Sequence, residues 1–176
     1  LEKPYGFDGP LTAYRSADHA DTWIFAGMRR GGRMVYAFDV SDITTDTDSP
    51  TLKWRIGCPN LYNDTGCTSS DIADIGQTWS SPVVLKTAGY DLGVSVGPDD
   101  DVVDKTMLIL GGGYDACEDS DPHSCTSSTK GNSIFVLDAD TGDVITSFDT
   151  DRAVVGDVFV ISNPTTGRAQ WAYAAD

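Results

Sequence analysis

Short apolar runs separated by turn residues set the pattern of this chain. Val35-Tyr36-Ala37-Phe38-Asp39-Val40, Pro82-Val83-Val84-Leu85, Met107-Leu108-Ile109-Leu110 and Ile134-Phe135-Val136-Leu137 are rich in β-branched and aromatic side chains, and clusters of Gly, Asp, Ser or Pro bound each run. Such runs fit a pleated, half-buried surface and predict strands. No long segment repeats its apolar residues at the helical period of about 3.6 residues between recognisable caps. A turn near Ser70 to Ile75 is the one helical element expected. The pattern predicts an all-β chain.

An internal repeat then predicts the architecture. Thr22-Trp23-Ile24-Phe25-Ala26-Gly27, residues 33–39 and Leu52-Lys53-Trp54-Arg55-Ile56-Gly57 form one series of strands. Residues 106–113, residues 133–138 and Val144-Ile145-Thr146-Ser147-Phe148 repeat it. In both series an apolar strand ends in glycine, and a second ends in Ala37-Phe38-Asp39 or Val136-Leu137-Asp138. An earlier strand precedes each, Gly9-Pro10-Leu11-Thr12-Ala13 and Ser81-Pro82-Val83-Val84-Leu85. Four antiparallel strands repeated as a meander are the blade of a β-propeller. The first blade is expected over about 9–57, the second over about 76–150 and the start of a third over about 153–176. Propellers close with about 4–8 blades, so the chain is expected to be a fragment whose end blades need the remaining blades as partners. Three polar insertions, 58–75, 88–105 and 116–131, lengthen the repeat and are where recognition is expected.

Charge narrows the function. With 12 basic and 27 acidic residues the net charge is −15, which disfavours nucleic acid and anionic membrane surfaces. A 40% hydrophobic content supports a packed core. No run approaches the roughly 18 apolar residues of a membrane-spanning helix, so no membrane insertion is expected. The opening Leu1-Glu2-Lys3-Pro4-Tyr5 does not have a leader's basic-then-apolar form. If the protein is secreted, its signal is expected to have been removed or to lie outside this chain.

The four cysteines fall into close pairs, Cys58 with Cys67 and Cys117 with Cys125, each bracketing a polar, turn-rich stretch. Two local disulfides formed in an oxidising compartment are expected. The competing zinc reading, with Cys117, His123 and Cys125 as ligands, lacks tight spacing and a fourth ligand.

Other candidate chemistry is sparse. Asp99, Asp101 and Asp104, in Pro98-Asp99-Asp100-Asp101-Val102-Val103-Asp104, are candidate oxygen ligands for calcium, against the reading of a solvated acidic loop tip. Asp138-Ala139-Asp140-Thr141-Gly142 starts like a calcium loop, but a hairpin turn explains it without a metal. The island Met28-Arg29-Arg30-Gly31-Gly32-Arg33 holds three of the 12 basic residues. Arg29, Arg30 and Arg33 are candidate anion ligands, weighed against pairing with carboxylates of a neighbouring blade. Nucleophile elbows, Walker loops and dinucleotide fingerprints are absent from the sequence. No cofactor is firmly expected.

Gly27-Met28-Arg29-Arg30-Gly31-Gly32-Arg33 running into Ala37-Phe38-Asp39-Val40 resembles the C-terminal propeller of the PilY/PilC family of type IV pilus tip adhesins. Gly76-Gln77-Thr78-Trp79-Ser80-Ser81-Pro82, Leu110-Gly111-Gly112-Gly113-Tyr114-Asp115 and residues 134–142 match further pieces in order. The resemblance implies a non-enzymatic protein exported through the periplasm of a Gram-negative bacterium to the cell surface at the pilus tip. It implies roles in pilus biogenesis, adhesion and twitching motility, with minor and major pilins as partners and an unidentified receptor. The family's calcium loop would fall at Ser162, Pro164, Thr166, Gly167 and Gln170, ahead of Tyr173-Ala174-Ala175-Asp176. Those residues lack its carboxylates, and the loop is not carried over. The alternative is a quinoprotein-type (PQQ-dependent) dehydrogenase, which shares the Leu-Asp-x-x-Thr-Gly turn but would need a complete ring and typically adjacent cysteines.

Overall fold

The computed structural model describes residues 5–45, 47–88, 104–125 and 129–176. Among them ten strands form three antiparallel sheets, and helical structure is confined to 3-10 turns at Arg29–Gly31, Ser70–Ile72 and Ala116–Asp119. The first sheet is a meander of β1 (Leu11–Arg15), β2 (Thr22–Gly27), β3 (Arg33–Asp39) and β4 (Thr51–Cys58). The second repeats it with β5 (Val83–Ala88), β6 (Asp104–Gly111), β7 (Ser133–Asp138) and β8 (Val144–Asp149). A hairpin of β9 (Phe159–Ser162) and β10 (Ala169–Tyr173) follows. This is an all-β segment of a propeller: two four-stranded blades and half of another.

Period-two alternation decides what each face meets. Trp23 and Phe25 of β2 share a side with Val35 and Ala37 of β3 and with Trp54 and Ile56 of β4. That side packs on Leu108, Leu110, Phe135 and Leu137 of the second blade, forming the main core. The alternate residues of the second blade, Leu85, Met107, Ile109 and Val136, pack on Val158 and Val160. Because both its faces are covered, β6 carries the unbroken run Met107-Leu108-Ile109-Leu110, whereas strands with one open face alternate.

A tryptophan joins the first two blades at one end. Trp54 Nε1 donates to the Ala139 carbonyl at 3.0 Å. Its ring lies against Gly142, where an added Cβ would stand 2.7 Å from the indole. Gly142 also has φ +80°, the left-handed conformation that the turn after β7 requires. Asp138 completes this turn by accepting the Asp140 N–H at 2.8 Å and the Thr141 N–H at 3.3 Å. In the first blade, Asp39 accepts the Ser41 N–H and hydroxyl at 2.9 and 2.6 Å. The two strand-end aspartates therefore do the same structural task.

The third blade starts later than the apolar run at Val154 suggests. Val154 is drawn out of a strand by two backbone bonds, donating to Gly131 and accepting from Gly113. Asp157 accepts the Ser81 N–H at 2.6 Å. Pairing begins only at Phe159, opposite Tyr173. Phe159 and Trp171 are 67% and 64% exposed, so this half-blade presents aromatic side chains on the face turned away from its neighbour. On the first blade, Leu11 and Leu52 are similarly uncovered.

Candidate functional site

An antiparallel meander sends alternate connections to opposite ends of the blades. The β2–β3, β4–β5, β6–β7 and β8–β9 connections therefore share one end. Both cysteine pairs lie there and both are closed, Cys58 with Cys67 and Cys117 with Cys125. The cysteines are thus covalently engaged, which removes the zinc set built on Cys117, His123 and Cys125. His123 instead meets Glu118 at 2.9 Å on the surface.

The three arginines of the basic island are put to different uses. Arg33 is 1% exposed and its guanidinium is fully engaged by the chain itself. Nε donates to Ile75 O at 2.6 Å, and Nη1 donates to Asn60 O and Asn63 O at 3.0 and 2.9 Å. Nη2 donates to Ala73 O at 2.8 Å and to Asp64 Oδ1 at 2.9 Å. Arg33 is therefore the internal anchor of the β4–β5 loop rather than a ligand for an outside anion. Lys130, from the β6–β7 connection, also reaches Asp64 at 2.9 Å and Ala73 O at 3.0 Å, tying the two disulfide loops together. Lys130 first, then Arg33, holds the Asp64 carboxyl below the usual aspartate range.

Arg29 and Arg30 are exposed at the tip of the β2–β3 turn. The Arg29 guanidinium lies over the Trp79 ring at 4.2 Å from its centroid, and that of Arg30 at 5.7 Å. Trp79 is placed by a stitched backbone segment. Gln77 exchanges two backbone bonds with Tyr114, and Thr78 donates to Gly32 O. Trp79 Nε1 donates to Gln77 Oε1 at 3.1 Å, and its ring meets Tyr114 edge to face at 6.2 Å between centroids. The Tyr114 hydroxyl donates to Asp119 Oδ1 at 3.1 Å. Burial, then this carboxylate, pushes the Tyr114 phenol pKa up, so the hydroxyl stays protonated. A hollow of about 320 Å³ opens among Arg30, Trp79, Tyr114, Asp119 and Val155. Sequence reasoning singled out the arginines but missed Trp79 and Tyr114 as their companions. The signal available was Gly-Gln-Thr-Trp, whose small residues let the backbone pass close to Tyr114.

The second disulfide loop is organised by Asp115, a buried carboxylate that accepts N–H bonds from Cys117, Thr129 and Lys130 at 3.0, 3.0 and 3.2 Å. A hollow of about 300 Å³ separates it from Leu61 and Tyr62 of the first loop.

At the other end of the blades, Asp104 is bound to Arg168 Nε at 2.7 Å, a contact between the second blade and the half-blade. Asp99 and Asp101 lie outside the described residues, so the candidate calcium set is represented there by Asp104 alone. In the 162–170 turn, Asn163 Oδ1 accepts the N–H groups of Thr165 and Thr166 at 2.8 and 3.1 Å. An asparagine thus orders this turn.

These features define a partial β-propeller with a loop end stiffened by disulfides and by an internal arginine. The crystal structure of the Pseudomonas aeruginosa PilY1 C-terminal domain is similar, with 20% sequence identity and a TM-score of 0.58. The similarity covers 96% of this chain and 28% of that chain. At this identity the likeness speaks for the fold. No protein-family model matches the chain, and no curated protein does. Among the described residues, no helix is long and apolar enough to cross a membrane.

Proposed function

We propose that the chain is a propeller segment of a type IV pilus-associated protein, acting without catalysis in pilus biogenesis, surface attachment and twitching motility. The observation that carries this reading is the fold likeness to the PilY1 C-terminal domain across nearly the whole chain. The ordered match of Gly-Met-Arg-Arg-Gly-Gly-Arg and Ala-Phe-Asp-Val adds to it. Two closed disulfides fit an oxidising, extracytoplasmic location, and the reading places the protein at the pilus tip. Further blades of the same propeller would cover the two end faces, and pilins would be the partners.

The test is genetic. Deleting residues 5–176 in frame from the full protein in its host should abolish twitching zones and reduce surface pili. Normal piliation and twitching in a strain that produces the shortened protein would overturn the proposal.

A further inference from the structure

Arg29 and Arg30 are unusual in so acidic a chain. Among the described residues no carboxylate lies within ion-pair distance of either guanidinium. Both are nevertheless held in place. Arg29 has φ +52°, a left-handed conformation that residues with a side chain seldom take. The turn is clamped there by Thr78. The Met28 N–H donates to Thr78 Oγ1 at 2.7 Å, and the Arg29 N–H donates to Thr78 O at 3.2 Å. Thr78 Oγ1 in turn donates to Met34 O at 3.1 Å. On the far side, a side chain at Gly31 would run into the Gly6 carbonyl. Backbone strain maintained by its surroundings points to a position where side-chain placement matters.

A guanidinium held over an indole still has N–H groups to donate, and a planar guanidinium can receive a carboxylate with two parallel bonds. Arg30, Trp79 and Tyr114 line the hollow of about 320 Å³, with Arg29 on the same indole. Asp119 stands on its edge with one oxygen accepting from Tyr114. The second oxygen is left to accept from a ligand hydroxyl. The arrangement combines one anion receptor, two aromatic rings set edge to face that offer C–H contacts, and one acceptor for a hydroxyl. A net charge of −15 repels polyanions at long range, which favours a ligand with a single negative charge, and the Asp119 acceptor favours one that also carries a hydroxyl.

We propose that the Arg29–Arg30–Trp79–Tyr114–Asp119 shelf binds a sugar acid, a saccharide unit carrying one carboxylate. The carboxylate sits on the arginine N–H groups, the saccharide ring packs against the Trp79 and Tyr114 rings, and a hydroxyl donates to Asp119. The site stands on geometry alone and does not depend on the pilus reading, so its failure would leave that reading to the genetic test.

Titration of the full chain with sodium glucuronate, followed by tryptophan fluorescence and calorimetry, tests it. Glucuronate should saturate one site, with glucose and acetate each weaker by at least about tenfold. Arg29→Ala/Arg30→Ala should weaken glucuronate binding at least about tenfold, while Arg15→Ala/Arg55→Ala, with the same change in net charge, should alter it less than about twofold. Should the alanine pair lower the unfolding temperature, Arg29→Lys/Arg30→Lys replaces it; this pair keeps the charge but loses the fork, and should also weaken binding. Absence of saturable binding, acetate binding as tightly as glucuronate, or binding that survives loss of both arginines would each overturn the proposal. Tighter binding of a peptide C-terminal carboxylate than of glucuronate would do so too.

Discussion

At the scale of single residues, the same side-chain type serves opposite ends within one short motif. Arg33 points into the molecule, where five guanidinium contacts satisfy four loop carbonyls and one carboxylate. Arg29, four positions earlier, is exposed over an indole. A lysine in place of Arg33 keeps the charge but has three donors on a point centre and lacks the planar fork. Buried carbonyls left without a donor cost about 1–3 kcal/mol each. Arg33→Lys should therefore lower stability by at least about 2 kcal/mol, read as a reduced urea midpoint with an unchanged slope. A variant with the parental midpoint would show that the guanidinium network is dispensable. The presence of these arginines was legible in the sequence. Their division of labour was not, because it depends on which side of β3 the turn delivers each one.

Among the elements, the two disulfide loops look alike in sequence but differ in what they hold. The Cys58–Cys67 loop contains Asn60, Asn63 and Asp64, three of the groups that receive Arg33. Cys58 itself is fully buried in the main core. The Cys117–Cys125 loop closes a surface excursion, and its local order also rests on Asp115. Closing a loop of this length is worth roughly 2–3 kcal/mol in chain entropy alone, about the same for both. Cys58→Ala/Cys67→Ala should cost clearly more than Cys117→Ala/Cys125→Ala, because the former also loosens the Arg33 acceptors. Equal shifts in the two melting temperatures would contradict this account. Strands β3, β5, β6 and β7 were legible from apolar runs. The late start of β9 was not, since Val154 is held in irregular backbone by partners from the β6–β7 connection.

For the whole molecule, the decisive feature is that each blade covers one face of the next. Among the described residues the first and last faces have no such cover, and Leu11, Leu52, Phe159, Ile161, Trp171 and Tyr173 are exposed there. Exposed contiguous apolar surface and an unpaired strand edge favour association. The isolated chain should therefore self-associate with rising concentration, seen as increasing mass in light scattering. Phe159→Ser/Trp171→Ser should reduce this, and a strictly monomeric parent chain at high concentration would refute the expectation. The repeat that predicts the blades was readable from sequence alone, as was the net charge of −15. Most strand positions, cysteine pairing and the Asp-x-x-Thr-Gly turn at 138–142 are local properties, governed by alternation, short loop length and backbone preference. The arginine–tryptophan shelf, the burial of Arg33 and the docking of Trp54 on Gly142 join residues from separate strands and connections. Only the folded sheets, with their connections and the packing of one blade against the next, bring them together, because contacts across so many residues depend on tertiary geometry that no local pattern encodes.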